Sequence, residues 1–249
     1  MNNIFLNEPN LPISAVTEVL ISDGDESLIK SLANLGIISY QIHKSGKLEP
    51  FCANHADILT YHLGNGDLIA DNTAVNALKD CNICETVNVF SPYPNDCLLN
   101  AADIGDFLIC NSKITHKTIL KAAEKRNKRI IHVNQGYAKC SVCIVKRDTF
   151  ITDDESIYRE CSKVNGISVF FVSKGSVALK GQNYGFIGGA SGLINENTLF
   201  FNGDLCLHKD FIAIEQFLSY HNVKYIDIKN KPLTDIGSII PIKQKGNTK

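Results

Sequence analysis

The chain of 249 residues carries 25 basic and 26 acidic side chains with no Lys/Arg block, so it lacks the electrostatic footprint of a nucleic-acid or anionic-membrane binder. Its composition lies near globular averages, which excludes disorder and supplies enough apolar residues for a sizeable core. No stretch approaches the ~18 apolar residues of a membrane span, residues 1–12 show no basic-then-apolar leader, and the nine cysteines are odd in number, so a cytoplasmic protein with reduced, mostly buried thiols is expected.

No Pro/Gly/Ser linker or low-complexity tract divides the chain, so one domain over residues 1–249 is expected and internal repetition is the first thing to seek. The first 46 residues offer a strand at 16–21, a helix at 25–35 closed by Gly36, and a strand at 37–42. From Asp57 a longer pattern begins: a strand at 58–63, the turn Gly64-Asn65-Gly66, a strand at 68–70, a short helix at 73–79 and a strand at 86–90. The same order returns from Asp96, with strands at 97–101 and 107–110, a helix at 115–126 and a strand at 129–133. A third pass has strands at 140–145 and 149–152, a helix opened by Asp153 and Asp154, and a strand at 167–172. A fourth has strands at 190–194 and 199–201, a helix at 210–221 with Ile214, Phe217 and Leu218 at core-facing spacing, and a strand at 223–228.

The last segment, 235–242, supplies only a first strand, and the N-terminal segment supplies only the strand, helix and strand that would follow it. Together the two ends complete a fifth unit, which would close a ring of β-β-α-β units. The unit starts Asp57, Asp96, Lys139, Gly188 and Asp235 are spaced by 39, 43, 49 and 47 residues, within the range of repeat architectures. The competing reading is an ordinary two-layer α/β domain whose βα alternation only looks periodic.

Several local runs carry a resemblance: His55-Ala56-Asp57-Ile58, Tyr93-Pro94-Asn95-Asp96, Gly136-Tyr137-Ala138-Lys139-Cys140-Ser141, Gly188-Gly189-Ala190-Ser191-Gly192 and Thr234-Asp235-Ile236-Gly237-Ser238. With the five-unit pattern they make the chain similar to the pentein, or guanidino-group-modifying, superfamily of arginine and agmatine deiminases, amidinotransferases and a non-catalytic translation initiation factor, in an uncharacterised bacterial branch. The resemblance covers nearly the whole chain and implies an α/β pseudo-fivefold propeller, the pentein fold, whose fifth unit is shared between the termini. Fold alone does not carry activity.

In such a ring the starts of the first strands converge on one central cleft, which would gather His55, Asp57, Asn95, Asp96, Lys139, Cys140, Ser141, Ser191, Asp235 and Ser238. Enzymes of the superfamily use a Cys nucleophile, a His that handles protons and carboxylates that bind the guanidinium. The resemblance thus implies Cys140 as nucleophile beside His55, with Lys139 or an imidazolium lowering the thiol pKa. Asp57, Asp96 and Asp235 would hold the cation, and Asn95, Lys139, Ser141, Ser191 and Ser238 would line the cleft. One departure stands against this: the enzymes' nucleophile lies in the last unit, where this chain reads Asp235-Ile236-Gly237-Ser238 without a cysteine. Two functions follow, a thiol-dependent hydrolase or transferase acting on a guanidino or related C–N compound, and a non-catalytic pentein that binds a small molecule or a protein partner. A small cationic ligand is expected, with no cofactor, nucleic acid or membrane.

Cys81-x-x-Cys84 and Cys140-x-x-Cys143 formally resemble a four-thiolate zinc pattern, but the gap between them far exceeds the roughly 15–20 residues of a zinc ribbon, and no metal is expected there. The glycines of 184–192 enter a strand rather than open a helix, which points to close backbone approach instead of a phosphate loop. His62, His116, His132, His208 and His221 have no converging partners in this scheme and are read as structural.

Overall fold

The computed structural model describes residues 2–78 and 81–246. Its elements follow the repeat. The N-terminal segment gives β1 (Asn3–Phe5), β2 (Val16–Ser22), α1 (Glu26–Asn34) and β3 (Ile38–Ile42). The first whole unit has the helical turn α2 (Ala56–Leu59), then β4 (Thr60–Gly64), β5 (Asp67–Asp71), a 3-10 turn at Val75–Ala77 and β6 (Asn82–Val87). The second has β7 (Ala102–Asp103), β8 (Phe107–Cys110), α3 (Lys117–Lys125) and β9 (Arg129–His132). The third opens with the helical turn α4 (Ala138–Ser141) and continues through β10 (Val142–Lys146), β11 (Thr149–Thr152), α5 (Glu155–Cys161) and β12 (Ser168–Phe171). The fourth has β13 (Ser191–Asn195), β14 (Thr198–Phe201), α6 (Phe211–Tyr220) and β15 (Lys224–Asp227), and β16 (Ile240–Lys245) ends the chain.

Every unit makes its own small sheet by one rule: the first strand pairs antiparallel with the second through a tight turn, and the second pairs parallel with the third across a helical or 3-10 crossover. In the fifth sheet β16 lies antiparallel to β2 and β2 parallel to β3, so both ends of the chain share one unit. The strand β1, which the sequence reading did not anticipate, adds antiparallel to the free side of β16. The helices start where short acidic side chains can satisfy their unpaired N–H groups: Asp25 accepts from Leu28 N at 3.1 Å and Asp154 from Ile157 N at 2.9 Å. Among the described residues no helix is long and apolar enough to cross a membrane.

Several expected elements differ, most of them where turns at the unit starts take residues from the ladder. The strand expected at 97–101 is a series of turns, and only Ala102–Asp103 pairs with β8. The last first-strand begins at Ile240 rather than 235, because Gly237 and Ser238 both have φ of +70°, which turns the chain away from the extended backbone of a strand. The helix expected at 73–79 is a 3-10 turn within its described part, with Lys79 outside the described residues, and β6 therefore starts at Asn82 instead of 86. Finally, Ala56–Leu59 and Ala138–Ser141 are single helical turns, so the axis-facing residues of these two units stand on helices, not on strands.

The unit starts are tied into a belt. Asp57 N donates to Gly237 O at 3.1 Å, Ser238 N to Gly189 O at 2.9 Å, and Gly189 N to Cys140 O at 2.7 Å. A side chain, Asn100, supplies the remaining links: its Oδ1 accepts from Lys139 N at 2.7 Å and Cys140 N at 3.3 Å, and its Nδ2 donates to Asp57 O at 3.0 Å. The carbonyl of Cys140 is open to Gly189 because a one-turn helix cannot satisfy its own last carbonyls. Asn100 is fully buried, so truncation strands two backbone amides and a carbonyl. Asn100→Ala is expected to cost about 2–4 kcal/mol in urea denaturation, whereas Asn95→Ala, in an exposed turn where Nδ2 meets only Pro92 O, is expected to cost less than about 0.5 kcal/mol.

Candidate functional site

Three of the expected residues meet at the axis. A ring nitrogen of His55, a carboxylate oxygen of Asp57 and Cys140 Sγ all lie within 4.8 Å of one another, and all three residues are buried. Sequence position explains the meeting: α2 carries His55 at its N-cap and Asp57 in its only turn, and α4 carries Cys140 in its own turn two units away. The thiol donates to the Asp57 carboxylate at 3.1–3.2 Å and receives Asn100 Nδ2 at 3.3 Å. Asp57 Oδ2 also accepts from Ser238 Oγ at 2.7 Å, and Lys139 Nζ donates to that hydroxyl at 2.9 Å. Asp235 Oδ1 stands 4.0 Å from His55 Nδ1.

The glycines flanking this cluster are required by distance. A Cβ on Gly189 would lie 1.9 Å from Asp235 Oδ1, one on Gly188 2.5 Å from Val142 backbone, and one on Gly237 2.3 Å from His55 Cβ. The close backbone approach expected of the 184–192 run is what these distances record. Ser238 holds the left-handed conformation without being glycine, a strained choice for a buried residue bonded to both Lys139 and Asp57.

The other expected residues go elsewhere. Asn95 serves a local turn. Asp96 is buried but accepts from Tyr137 Oη at 2.8 Å and from the neighbouring Cys97 thiol, not from the central cluster. Ser141 Oγ donates back to Tyr137 O at 2.9 Å inside its own helical turn, and Ser191 Oγ donates to Gly188 O at 3.3 Å. Asp235 forms a side-chain turn with Gly237 N at 2.9 Å while its second oxygen accepts from Phe186 N at 2.9 Å, so one residue both shapes the turn and faces His55. The two Cys-x-x-Cys pairs do not meet: Cys84 is exposed on the outer strand β6, whereas Cys140 and Cys143 are buried. Asn100 was missed because its expected strand masks it; the only signal was its place just before the Asp103–Gly105 turn.

Burial governs the electrostatics. It pushes the Cys140 thiol well above its ordinary value, and the Asp57 and Asp235 carboxylates push it the same way. The lowering expected from Lys139 or an imidazolium is therefore outweighed. Burial also raises Asp57 against the opposing pull of His55 and Lys139, raises Asp235 to about 6, lowers Lys139 and keeps the His55 imidazole neutral. Burial thus works against the charged form of every group here: it holds the thiol protonated, raises both carboxyls and disfavours the imidazolium.

One space of about 20 Å³ touches Asp57 and Lys139, and two others reach the His55 side. A cavity of about 20 Å³, room for about one water, touches Cys140, His55 and Asp235 beneath Phe51, Leu179 and Phe186. Outside it a groove of about 810 Å³ shares His55, Asp235, Phe51 and Leu179 and is rimmed by Asp23, Asp25, Glu26, Lys44 and Lys180. Phe51, Leu179, His55 and Asp235 thus line both the cavity and the groove.

Five β-β-α-β units joined at their starts, with the fifth built from both termini, are the pentein fold. Similar solved structures include the amidinotransferase SxtG from Microseira wollei (10% identity over 98% of each chain, TM-score 0.58) and the inosamine-phosphate amidinotransferase StrB1 from Streptomyces griseus (8% identity over 98% of this chain and 99% of that one, TM-score 0.57). The agmatine deiminase of C. jejuni is similar at 11% identity over 100% of this chain and 98% of its own, with a TM-score of 0.56. Residues 20–240 match the profile of a family of unknown function, DUF6873, and the chain belongs to that family. No curated protein sequence matches it.

Because burial and two carboxylates hold the thiol protonated, Cys140 is expected to react with iodoacetamide more slowly at pH 8 than the exposed Cys206, by at least about tenfold, with a rate still rising above pH 9. Asp57→Asn removes a negative charge beside the sulfur and is expected to speed Cys140 labelling at pH 8. Mass-spectrometric mapping of the labelled peptides checks both signs.

Proposed function

We propose that the protein is a thiol-dependent hydrolase or transferase acting on a guanidino or related C–N compound, with Cys140 as nucleophile. The observation that supports this is the convergence of Cys140, His55 and Asp57 within 4.8 Å at the axis, with Asp235 beside His55. Amidinotransferases and an agmatine deiminase on the same fold support this class of chemistry.

The electrostatics support one order of events. A guanidinium entering from the groove displaces Phe51 and Leu179 and takes up the carboxylates of Asp57 and Asp235 through paired charge-assisted hydrogen bonds. Its positive charge then opposes the two carboxylates that raise the Cys140 pKa, so the thiol ionises only with substrate present. The thiol proton passes to the neutral His55 imidazole, Sγ bonds to the guanidinium carbon, and the C–N bond breaks as His55 hands that proton to the leaving nitrogen. Water or an acceptor amine then displaces the sulfur, giving a ureido product or a transferred amidino group.

A pair of alkylating reagents tests this directly. After normalisation to a small thiol, cationic 2-chloroacetamidine is expected to label Cys140 at least about tenfold faster than neutral 2-chloroacetamide, about 1.4 kcal/mol of preference, and Asp235→Asn is expected to erode it. Equal normalised rates, with no ureido or amidino product from a panel of guanidino compounds, would exclude the reading.

A further inference from the structure

We infer that His55, Asp57 and Cys140 form a binding site for one thiophilic divalent cation of the zinc class, with the cavity beneath Phe51 and Leu179 as its open coordination position. The inference uses the same three residues as the covalent reading, but it rests on their donor atoms and not on their reactivity.

Three observations carry it. First, the set offers one imidazole nitrogen, one carboxylate oxygen and one sulfur, all within 4.8 Å of one another, the mixed N/O/S set that zinc accepts. In tetrahedral coordination, ordinary zinc bond lengths place sulfur and oxygen about 3.5 Å apart. Cys140 Sγ already lies 3.1–3.2 Å from the Asp57 oxygens, so exchanging the thiol proton for the metal needs a shift of only a few tenths of an ångström there.

Second, two of the donors are held from behind by hydrogen bonds, as ligands of protein metal sites usually are, and the third has a carboxylate nearby. Asn100 Nδ2 donates to Cys140 Sγ, Ser238 Oγ donates to Asp57 Oδ2, and the Asp235 carboxylate stands 4.0 Å from the His55 ring. Third, the cavity bordered by His55 and Cys140 has room for about one water, which is what a three-ligand zinc site needs in its fourth position. The charges close as well: a divalent ion is balanced by the Cys140 thiolate and Asp57, and Lys139, bonded to Ser238 rather than to a donor atom, is balanced by Asp235.

A second cluster makes the contrast. Asp204, Cys206 and Asp227 also bring donor atoms within 4.8 Å, but Lys229 Nζ lies among them at 3.3, 3.5 and 2.8 Å, and this ammonium already fills the place an ion would take. At the axis, bound metal and an incoming electrophile compete for one sulfur. Metal occupancy thus switches off the covalent chemistry reversibly.

The test titrates reduced, metal-stripped full-length protein with Co²⁺ and then displaces it with Zn²⁺. One equivalent of Co²⁺ per chain is expected to give a sulfur-to-cobalt charge-transfer band and tetrahedral d–d bands, both lost on zinc addition. Cys140→Ser and His55→Ala are expected to weaken binding at least about 100-fold, with folding checked by circular dichroism, whereas Cys84→Ser/Cys206→Ser is expected to leave it unchanged. Zinc should also suppress Cys140 alkylation in proportion to occupancy. No stoichiometric binding to the wild-type chain, or binding that survives Cys140→Ser, would overturn the inference. Failure here with the amidine preference intact leaves the covalent reading standing; zinc binding without that preference does the reverse.

Discussion

The structure turns on one buried amide. Asn100 bonds the backbone of the first unit at Asp57 and of the third at Lys139 and Cys140, closing a belt that the other units complete through their own backbone. Because the belt passes through the residues that carry the reactive groups, the interaction that holds the units together also fixes where Cys140 and Asp57 stand. The same amide donates to the thiol, so scaffold and site cannot be altered separately. Glycines at 188, 189 and 237 serve this constraint, since any side chain there would overlap the neighbouring unit.

Bringing five unit starts together also removes water from them, and that decides the chemistry of the resting state. In low dielectric the charged form of each group is disfavoured, and the carboxylates add repulsion to the thiolate. A protonated thiol hydrogen-bonded to Asp57 is the consequence. It is unreactive alone, yet any cation placed among these groups shifts the balance toward the thiolate. A guanidinium and a divalent metal are the two proposed ways of supplying that charge, and the one-water cavity beside the 810 Å³ groove has no room for the first unless side chains move.

The axis also shows how a polar cluster is tolerated in a protein interior. Asp57 serves Cys140, Ser238 and, through Ser238, Lys139, so each polar atom shares partners drawn from different units. Ser238 accepts a left-handed backbone to make this work. The strained residue lies in the last unit, whose stretch Asp235-Ile236-Gly237-Ser238 holds no cysteine, while the thiol of the network comes from the third unit.

The sequence by itself determined the repeat, the hairpin and crossover of each unit, and the sharing of the fifth unit between the termini, because side-chain periodicity, capping acids and turn residues act over a few neighbours and are written locally. It also placed His55, Asp57, Lys139, Cys140, Asp235 and Ser238 at unit starts, where the ring gathers them. Only the tertiary structure decided which starts are helical turns, that Asn95, Ser141 and Ser191 turn to local partners and Asp96 to Tyr137, that Asn100 joins three units, and that the thiol is held protonated. Those outcomes depend on distances between segments some 40 residues or more apart and on the water excluded when they meet, and neither is encoded in the order of neighbouring residues.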